Sequence, residues 1–495
     1  MPLLSKSKYM IGLTCPKYLW IAFNEKQRIA EISEDQQHLF DQGKLVGELA
    51  KKLFPKGIDI PTQPFAENLE KSQAAAKLAR RRPLFEAAFS IDNVYSRADI
   101  LNPVGKDEWD IIEVKSSTEV KDEHIQDVSF QKFCYERVGL KIRKCFMLVI
   151  NNEYAKKGKV DPKKLFKFED ITERVAEEIK GMEERIEEMF KIINLKKCPE
   201  TEIHEKCKKP YDCPLVEQCW RFLPKNSVFN LYSGGAKCFE LFRKGIQAIK
   251  DIPDEYELTD RQDIQRRCEK TGKPYVQKEH IKHFLESLKY PLYFMDFETY
   301  NTAIPLYNKL KPYQNIPFQF SMHVLKAPGE KLEHYSFLAE GSKDPRKKFA
   351  EALKKAAGRK GSVVVYNAAF ETGVLKKIKE SFPKNSKWVD AVTNRVVDLL
   401  QPFRNFWYYN PRQQGKASLK AVLPALVGKS YEGMEIAEGG NASRRYLFIT
   451  HGSIDGTKAT PEEAKQVRHH LEAYCGMDTE AMVWILDALR NIVNV

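Results

Sequence analysis

The ten residues from Pro291 to Tyr300, PLYFMDFETY, constrain the fold more than any other stretch. The apolar run belongs inside a sheet, yet it carries two carboxylates, Asp296 and Glu298, two positions apart. Residues two apart on a strand share a face, so both acids project together from a buried element, where an unpaired anion is costly. A pair of divalent cations answers that charge most simply, because phosphoryl-transfer sites share carboxylates between two ions about 4 Å apart. The alternative is a strand end whose Asp-x-Glu faces water. The rest of the chain bears on the choice.

At 495 residues the chain exceeds a single core, and ordinary domain sizes predict about two to four units. No run approaches the roughly 20 apolar residues of a membrane span. The opening, MPLLSKSKYMIGLTCPKYLW, lacks the apolar core and small-residue cleavage site of a secretory signal. These features place the chain in the cytoplasm with no membrane partner. A net charge of +13 favours polyanions such as nucleic acid, although a solvated lysine-rich surface carries the same excess. Ten cysteines without an export signal read as thiols or metal ligands rather than a disulfide framework.

In the amino-terminal half, Thr14-Cys15-Pro16 opens a helix, and residues 35–54 read as an amphipathic helix with Leu39, Leu45, Val46, Leu49 and Leu53 apolar and Glu48 beside that face. Leu84 to Leu101 predicts a hairpin with an Asp-Asn turn that sets Asp99 near the end of its second strand. The next strand, Asp110 to Lys115, carries Glu113 and Lys115 on one face. Alone, that pair is a surface ion pair of little worth. With Asp99 one strand earlier, it supplies two metal-binding carboxylates and an ammonium to support attack on a phosphodiester. Asp127, Gln131 and Tyr135 follow at i, i+4 and i+8 on a helix, as a stripe facing either that site or solvent.

Over residues 8–222 these motifs resemble the RecB-type nucleases of the PD-(D/E)XK superfamily, which include the CRISPR-associated adaptation exonucleases. The resemblance implies metal at Asp99 and Glu113, a water-positioning role for Lys115, and a Gln-x3-Tyr helix motif at Gln131 and Tyr135. Many members carry a histidine in the early helix after a glycine, whereas GKLVGE offers Glu48 as a substitute ligand. The helix at 171–193 carries a core stripe from Ile171 to Ile193. Beyond it lie Cys198, Cys207, Cys213 and Cys219, spaced more loosely than the tight pairs zinc prefers. Related nucleases hold an iron-sulfur cluster with one cysteine before the nuclease core and three after it. By that resemblance Cys15, Cys207, Cys213 and Cys219 hold a 4Fe-4S cluster, with Cys198 a possible substitute and zinc or plain buried thiols as alternatives.

No motif marks residues 226–289, read as a helical connector. Downstream, Pro317–Lys326 and His334–Leu338 alternate as strands, and Val363–Tyr366 is a buried strand leading into NAAFETGVLKKI, with Asn367 as cap and Glu371 one turn in. Asp398 follows in VVDLLQPF, and GKASLKAVLPAL is a serine-capped amphipathic helix. On the final helix, from near Pro461, Tyr474 and Asp478 are four apart and share a face. That pair suits a metal ligand beside a water-orienting phenol, or a plain hydrogen bond on a packed helix.

The ordered set resembles the DnaQ-like, or DEDD, exonucleases of the ribonuclease H-like fold across residues 285–495. Tyr474, with Ala473 where a histidine base would stand, points to the DEDDy branch; Glu371 stands where most relatives have aspartate. The fold class expected is α/β: a PD-(D/E)XK restriction-endonuclease-like domain (1–225), a helical connector (226–284) and a DnaQ-like domain (285–495), an order similar to a group of prokaryotic two-nuclease proteins. The resemblances imply 3′-to-5′ exonuclease chemistry in the second domain. They imply Mg2+ or Mn2+ at Asp296, Glu298, Glu371 and Asp478, Tyr474 as water-orienting residue, DNA more than RNA as substrate, and a helicase or repair or defence partner. The rival expectations are a nucleic-acid-binding scaffold with one degenerate site, and an iron-sulfur redox regulator.

Overall fold

In the computed structural model, which describes residues 2–209 and 211–494, helices and strands mix along an α/β chain. It divides into two compact units, Met1–Arg221 with Thr302–Gln314, and Phe222–Asn301 with Asn315–Val495. The segment read as a connector is thus built into the second unit. Its helices, Ala236–Arg243, Asp260–Thr271 and Lys278–Glu286, are held there by tertiary bonds such as the Gln277 backbone amide to Trp407 O at 2.7 Å. No helix among the described residues is long and apolar enough to cross a membrane.

The first unit is built on seven strands: β1 (Leu4–Ser5), β2 (Ile58–Asp59), β3 (Leu84–Ile91), β4 (Val94–Val104), β5 (Glu108–Val114), β6 (Lys141–Ile150) and β7 (Phe166–Asp170). The order is β2-β3-β4-β5-β6-β7, with β1 alongside β4. Asp92 and Asn93 turn β3 into β4 with φ of 50° and 62°, the left-handed pair that a two-residue hairpin requires. Parallel β5 and β6 need a crossover, which the helix Asp122–Arg137 supplies. Ile111 and Ile112 take opposite faces of β5: Ile111 joins a core with Phe130, Tyr135, Ile186 and Met189, and Ile112 one with Val46, Ala50 and Leu148.

Two expectations are corrected here. The helix Glu34–Lys51 starts on a Ser33 capping box, but it buries Val46 and Ala50 and leaves Leu39 59% and Leu45 42% exposed. The anticipated stripe is narrower than the spacing suggested, because only the last two turns meet the sheet. The helix expected over 171–193 is broken: Gly181 adopts φ 70° between Thr172–Glu178 and Met182–Ile193, although Val175, Met182, Ile186, Met189 and Ile193 are all buried as anticipated.

The second unit pairs β8 (Tyr275–Val276) with a late two-residue strand, Tyr408–Tyr409. Its main sheet holds β9 (Leu292–Tyr300), β10 (Ile316–Leu325), β11 (Glu333–Leu338), β12 (Ser362–Val365) and β13 (Val396–Asp398) in the order β11-β10-β9-β12-β13. β10 runs antiparallel to β9 and β11, whereas β12 is parallel to β9 and β13. β9 is therefore central, with Asp296 opposite Ser321 and Glu298 opposite Gln319. The helix Ala368–Ser381 follows β12, and the helix Pro461–Val493, fixed at its start by a Thr460–Glu463 capping box, ends the chain. Met295, Phe297, Phe320, Phe349 and Leu375 are central to the core.

The β9–β12 junction depends on one glycine. Gly361 has φ +83°, and a Cβ there would meet Pro291 O at 2.0 Å and Pro291 N at 2.7 Å. Backbone cannot step aside as a flexible side chain would. Gly361→Ala should cost about 2 kcal/mol or more, whereas Gly373→Ala, in a helix with nothing within 4 Å, should be neutral or gain up to about 1 kcal/mol. Urea unfolding of the two variants checks the contrast.

Candidate functional site

Central placement of β9 gathers the carboxylates of the second unit. Glu298 is buried on β9, while Asp296 keeps part of its surface open. Glu371, in the first turn of Ala368–Ser381, is 1% exposed, and its Oε2 has no hydrogen-bond partner. Asp478 and Tyr474 come from the middle of the last helix and are both buried. Tyr474 stands close enough to act electrostatically on the Asp478 carboxylate, and Tyr431 Oη donates to Asp478 Oδ1 at 2.5 Å.

The electrostatics record the crowding. Desolvation, then the charges of Asp478, Glu298 and Glu371, push the Asp296 carboxyl well above its ordinary range. Glu298 is raised by desolvation and by Asp478, against the pull of Lys420. Asp478 is pushed up to about 6 by burial, with Tyr431 and Lys420 opposing, and Glu371 to about 8 by burial and the charge of Asp398. The Tyr474 phenol is pushed far up by burial and the neighbouring acids, so it stays protonated. Two features offset part of the repulsion. Lys420 Nζ lies 5.5 Å from the Tyr474 ring centre, and the first residue of the helix Gly439–His451 sits so that a Cβ on Gly439 would be 3.6 Å from Glu298 Oε2, which puts positive helix-end potential there.

The structure sets Glu298, Glu371, Asp478 and Tyr474, each expected from the sequence pattern, within electrostatic reach of Asp296, although of the four acids only Asp296 and Glu298 belong to a ligand group within 4.8 Å. Asn367 heads its helix, but in the left-handed region with no side-chain cap; its amide instead donates to Asp398 Oδ1 at 2.9 Å. Ser418 likewise occupies a cap position without a cap bond. Three members were missed. Lys420 lies two residues past Ser418 in a helix read only for its cap, Tyr431 sits in a loop with no pattern, and Cys475 adjoins Tyr474. Cys475 Sγ is 3.7 Å from Asp296 Oδ2. Ligand atoms of Asp296, Glu298 and Cys475 all lie within 4.8 Å of one another, the only such group of three His, Cys, Asp or Glu among the described residues.

In the first unit β5 sets a second cluster. Glu113, 1% exposed, accepts from Lys6 Nζ at 2.9 Å and Lys115 Nζ at 2.8 Å on Oε1, and from Gln131 Nε2 at 2.8 Å on Oε2. Asp127 accepts from Lys115 Nζ at 2.7 Å and Gln131 Nε2 at 3.0 Å, and pairs with Lys6 at 3.0 Å. Asp99 Oδ2 accepts from the Val114 amide at 2.7 Å, and its carboxyl is pushed up to about 7 by desolvation and the charge of Glu113. For Lys6 and Lys115 burial acts to lower the pKa, but the surrounding carboxylates outweigh it and hold both ammoniums charged. Lys6, more than a hundred residues before its partners, carried no sequence signal.

Two predicted members stand elsewhere. Glu48 is on an exposed helix face, paired with Lys51 at 2.7 Å. Tyr135 is fully buried in the core, and its hydroxyl donates to Ala87 O at 2.8 Å. It faces inward because i, i+8 on a helix has turned too far to stay beside Asp127.

Cys15, Cys207, Cys213 and Cys219 line one cavity of the first unit, with His204 and Trp220. All are free thiols, and burial, followed by Cys15, Cys207 and Cys219, pushes the Cys213 thiol up to about 11. No three of these sulfurs fall within 4.8 Å of one another, whereas four sulfurs on one zinc ion stand roughly 3.8 Å apart, as Zn–S bonds of about 2.3 Å require. Cys198 lies outside the cavity, in the field of Lys17 and Arg28.

The acids of the second unit have folded pKa values above their ordinary ones, so their protonated state stabilises the fold. That contribution is complete below about pH 4 and is lost as pH rises through about 6 (Asp478) to about 8 (Glu371). The metal-free protein should melt at progressively lower temperature across this window, and Glu371→Gln should flatten the decline. Thermal melts at stepped pH check it. In comparisons with known proteins, a family profile described as a domain of unknown function (DUF2779) matches residues 293–418, which takes in Asp296, Glu298 and Glu371 and stops short of Tyr474 and Asp478. Curated proteins gave no match.

Proposed function

We propose that the chain is a metal-dependent nuclease whose principal hydrolytic centre is the carboxylate cluster of the second unit. The observation that carries this reading is the convergence of Asp296, Glu298, Glu371 and Asp478 with Tyr474 around the central strand. The strand order, three antiparallel strands followed by two parallel ones, supports the ribonuclease H-like part of the reading. Four acids, three of them buried, against one lysine leave up to three negative charges for divalent cations to offset, and the unpartnered Glu371 Oε2 is a further open acceptor. Asp296, Glu298, Glu371 and Asp478 would hold Mg2+ or Mn2+, which when bound supplies Lewis-acid stabilisation of charge developing on the phosphate.

The chain's own residues do the remaining work. Tyr474, kept protonated by its surroundings, orients a water molecule by hydrogen bonding and does not take its proton. Tyr431 fixes the Asp478 carboxylate from the other side. Lys420 places a cation where a phosphate-bearing strand would approach, and the excess of basic residues attracts that strand.

For the first unit we propose a RecB-like centre at Asp99, Glu113 and Lys115, positioned by Gln131. Its mixed sheet and the helix after β5 support that reading. The bridge of Lys6 between Glu113 and Asp127 favours a second reading for this unit, an inert centre in a nucleic-acid-processing scaffold, since a cation entering there must displace an ammonium. The four-cysteine cavity we assign to a 4Fe-4S cluster, with zinc as its rival.

Two measurements follow. With end-labelled DNA and RNA and Mn2+, Asp296→Asn should slow degradation by the intact chain by at least about 100-fold, and Asp99→Asn should report the first unit separately. Unchanged degradation in both variants would remove the nuclease reading. Anaerobically purified protein should show visible absorption that Cys213→Ser abolishes, and a colourless protein containing zinc would establish the rival.

A further inference from the structure

We propose that Cys475, Asp296 and Glu298 form a site for a thiophilic divalent cation, zinc in preference to magnesium, and that its occupancy blocks hydrolysis at the same centre. This rests on the reading of that centre as one that handles divalent cations. The sulfur and the two carboxylates are within 4.8 Å of one another, a spread that small side-chain adjustments close to the tetrahedral ligand spacing of Zn–S at about 2.3 Å and Zn–O at about 2.0–2.2 Å. Three protein ligands with one position left open is the arrangement of catalytic zinc sites.

A second observation is independent of the thiol. Glu371, almost wholly buried, leaves Oε2 without a partner, and its charge reaches Asp296, so the same pocket holds an open acceptor outside the three-ligand group. Metal selectivity follows from donor chemistry. Magnesium takes oxygen ligands in near-octahedral geometry and retains water, whereas a thiolate favours zinc and cadmium. On binding, the Cys475 S–H bond breaks, the sulfur–metal bond forms, and the proton leaves to solvent. A zinc ion held there uses both β9 carboxylates, which the magnesium or manganese pair would otherwise share. The plainer role for the thiol is a weak S–H···O bond to Asp296.

Cadmium titration of the full-length protein, followed by ultraviolet sulfur-to-cadmium charge transfer, separates the two roles. The parent should take up one thiolate-bearing equivalent more than Cys475→Ala. Asp296→Asn, which keeps all ten cysteines, should bind that equivalent about tenfold or more weakly, since even outer-shell partners contribute about 10–100-fold to metal affinity. Equal uptake by all three proteins would overturn the proposal. Where Mg2+ supports hydrolysis, the midpoint for zinc inhibition, with each protein normalised to itself, should rise at least tenfold in Cys475→Ala. An unchanged midpoint would likewise count against the site while leaving the nuclease reading intact. Loss of the cadmium equivalent in a protein that hydrolyses nothing would sustain the metal site and remove the nuclease.

Discussion

Like charges held out of water are the constraint on which both clusters depend. Asp296 and Glu298 are committed to one side of a central strand, opposite Ser321 and Gln319, and Glu298 is buried there, so the pair cannot turn away from each other without breaking the sheet. Burial and mutual repulsion must then be met by protons, by cations or by oriented dipoles. The second unit uses protons in the metal-free state, helped by Lys420 and the start of the helix Gly439–His451. The first unit meets the same problem with two lysines, Lys6 and Lys115, set against Asp99, Glu113 and Asp127. A cluster already neutralised has less need of an added cation than one that is not. That difference separates the two units more clearly than their strand orders do.

What the sequence disclosed was local. Asp-x-Glu on an apolar run, Asp-Asn between alternating segments, and Tyr-x3-Asp on a periodic helix each report on a single element, and each stands where its period puts it. What stayed hidden was tertiary. Lys6 meets Glu113 across 107 positions, and Tyr431 reaches Asp478 from a loop; neither pairing leaves a periodic trace. Leu39 and Leu45 show the limit of periodicity itself, since spacing marks a face but not how far along the helix the neighbouring sheet extends. Gly181 shows another: a helical stripe of buried residues survived a break in the helix, because each half packs its own turns on the same core.

The four cysteines illustrate how a small group of side chains can act on a whole unit. Cys15 lies ahead of six of the seven strands, and Cys207, Cys213 and Cys219 lie after them. A group bound by all four closes that span into a loop, and restricting a long loop in the unfolded chain stabilises the folded one. Oxidation or loss of such a group would therefore be felt as instability of the sheet as well as a change at the cavity.

The two pairs of side chains in the second unit are carried at nearly equal pitch. Two residues along a strand advance about 6.7 Å, and four along a helix about 6 Å. Each pair is rigidly phased by its own element, so the frame they form tolerates exchanges of residue but not changes of length. Deleting one position between Asp296 and Glu298 would send one carboxylate to the opposite side of the sheet, and inserting one between Tyr474 and Asp478 would swing the acid round by about 100°. Lineages of such chains should accordingly confine gaps to the loops outside these two short intervals.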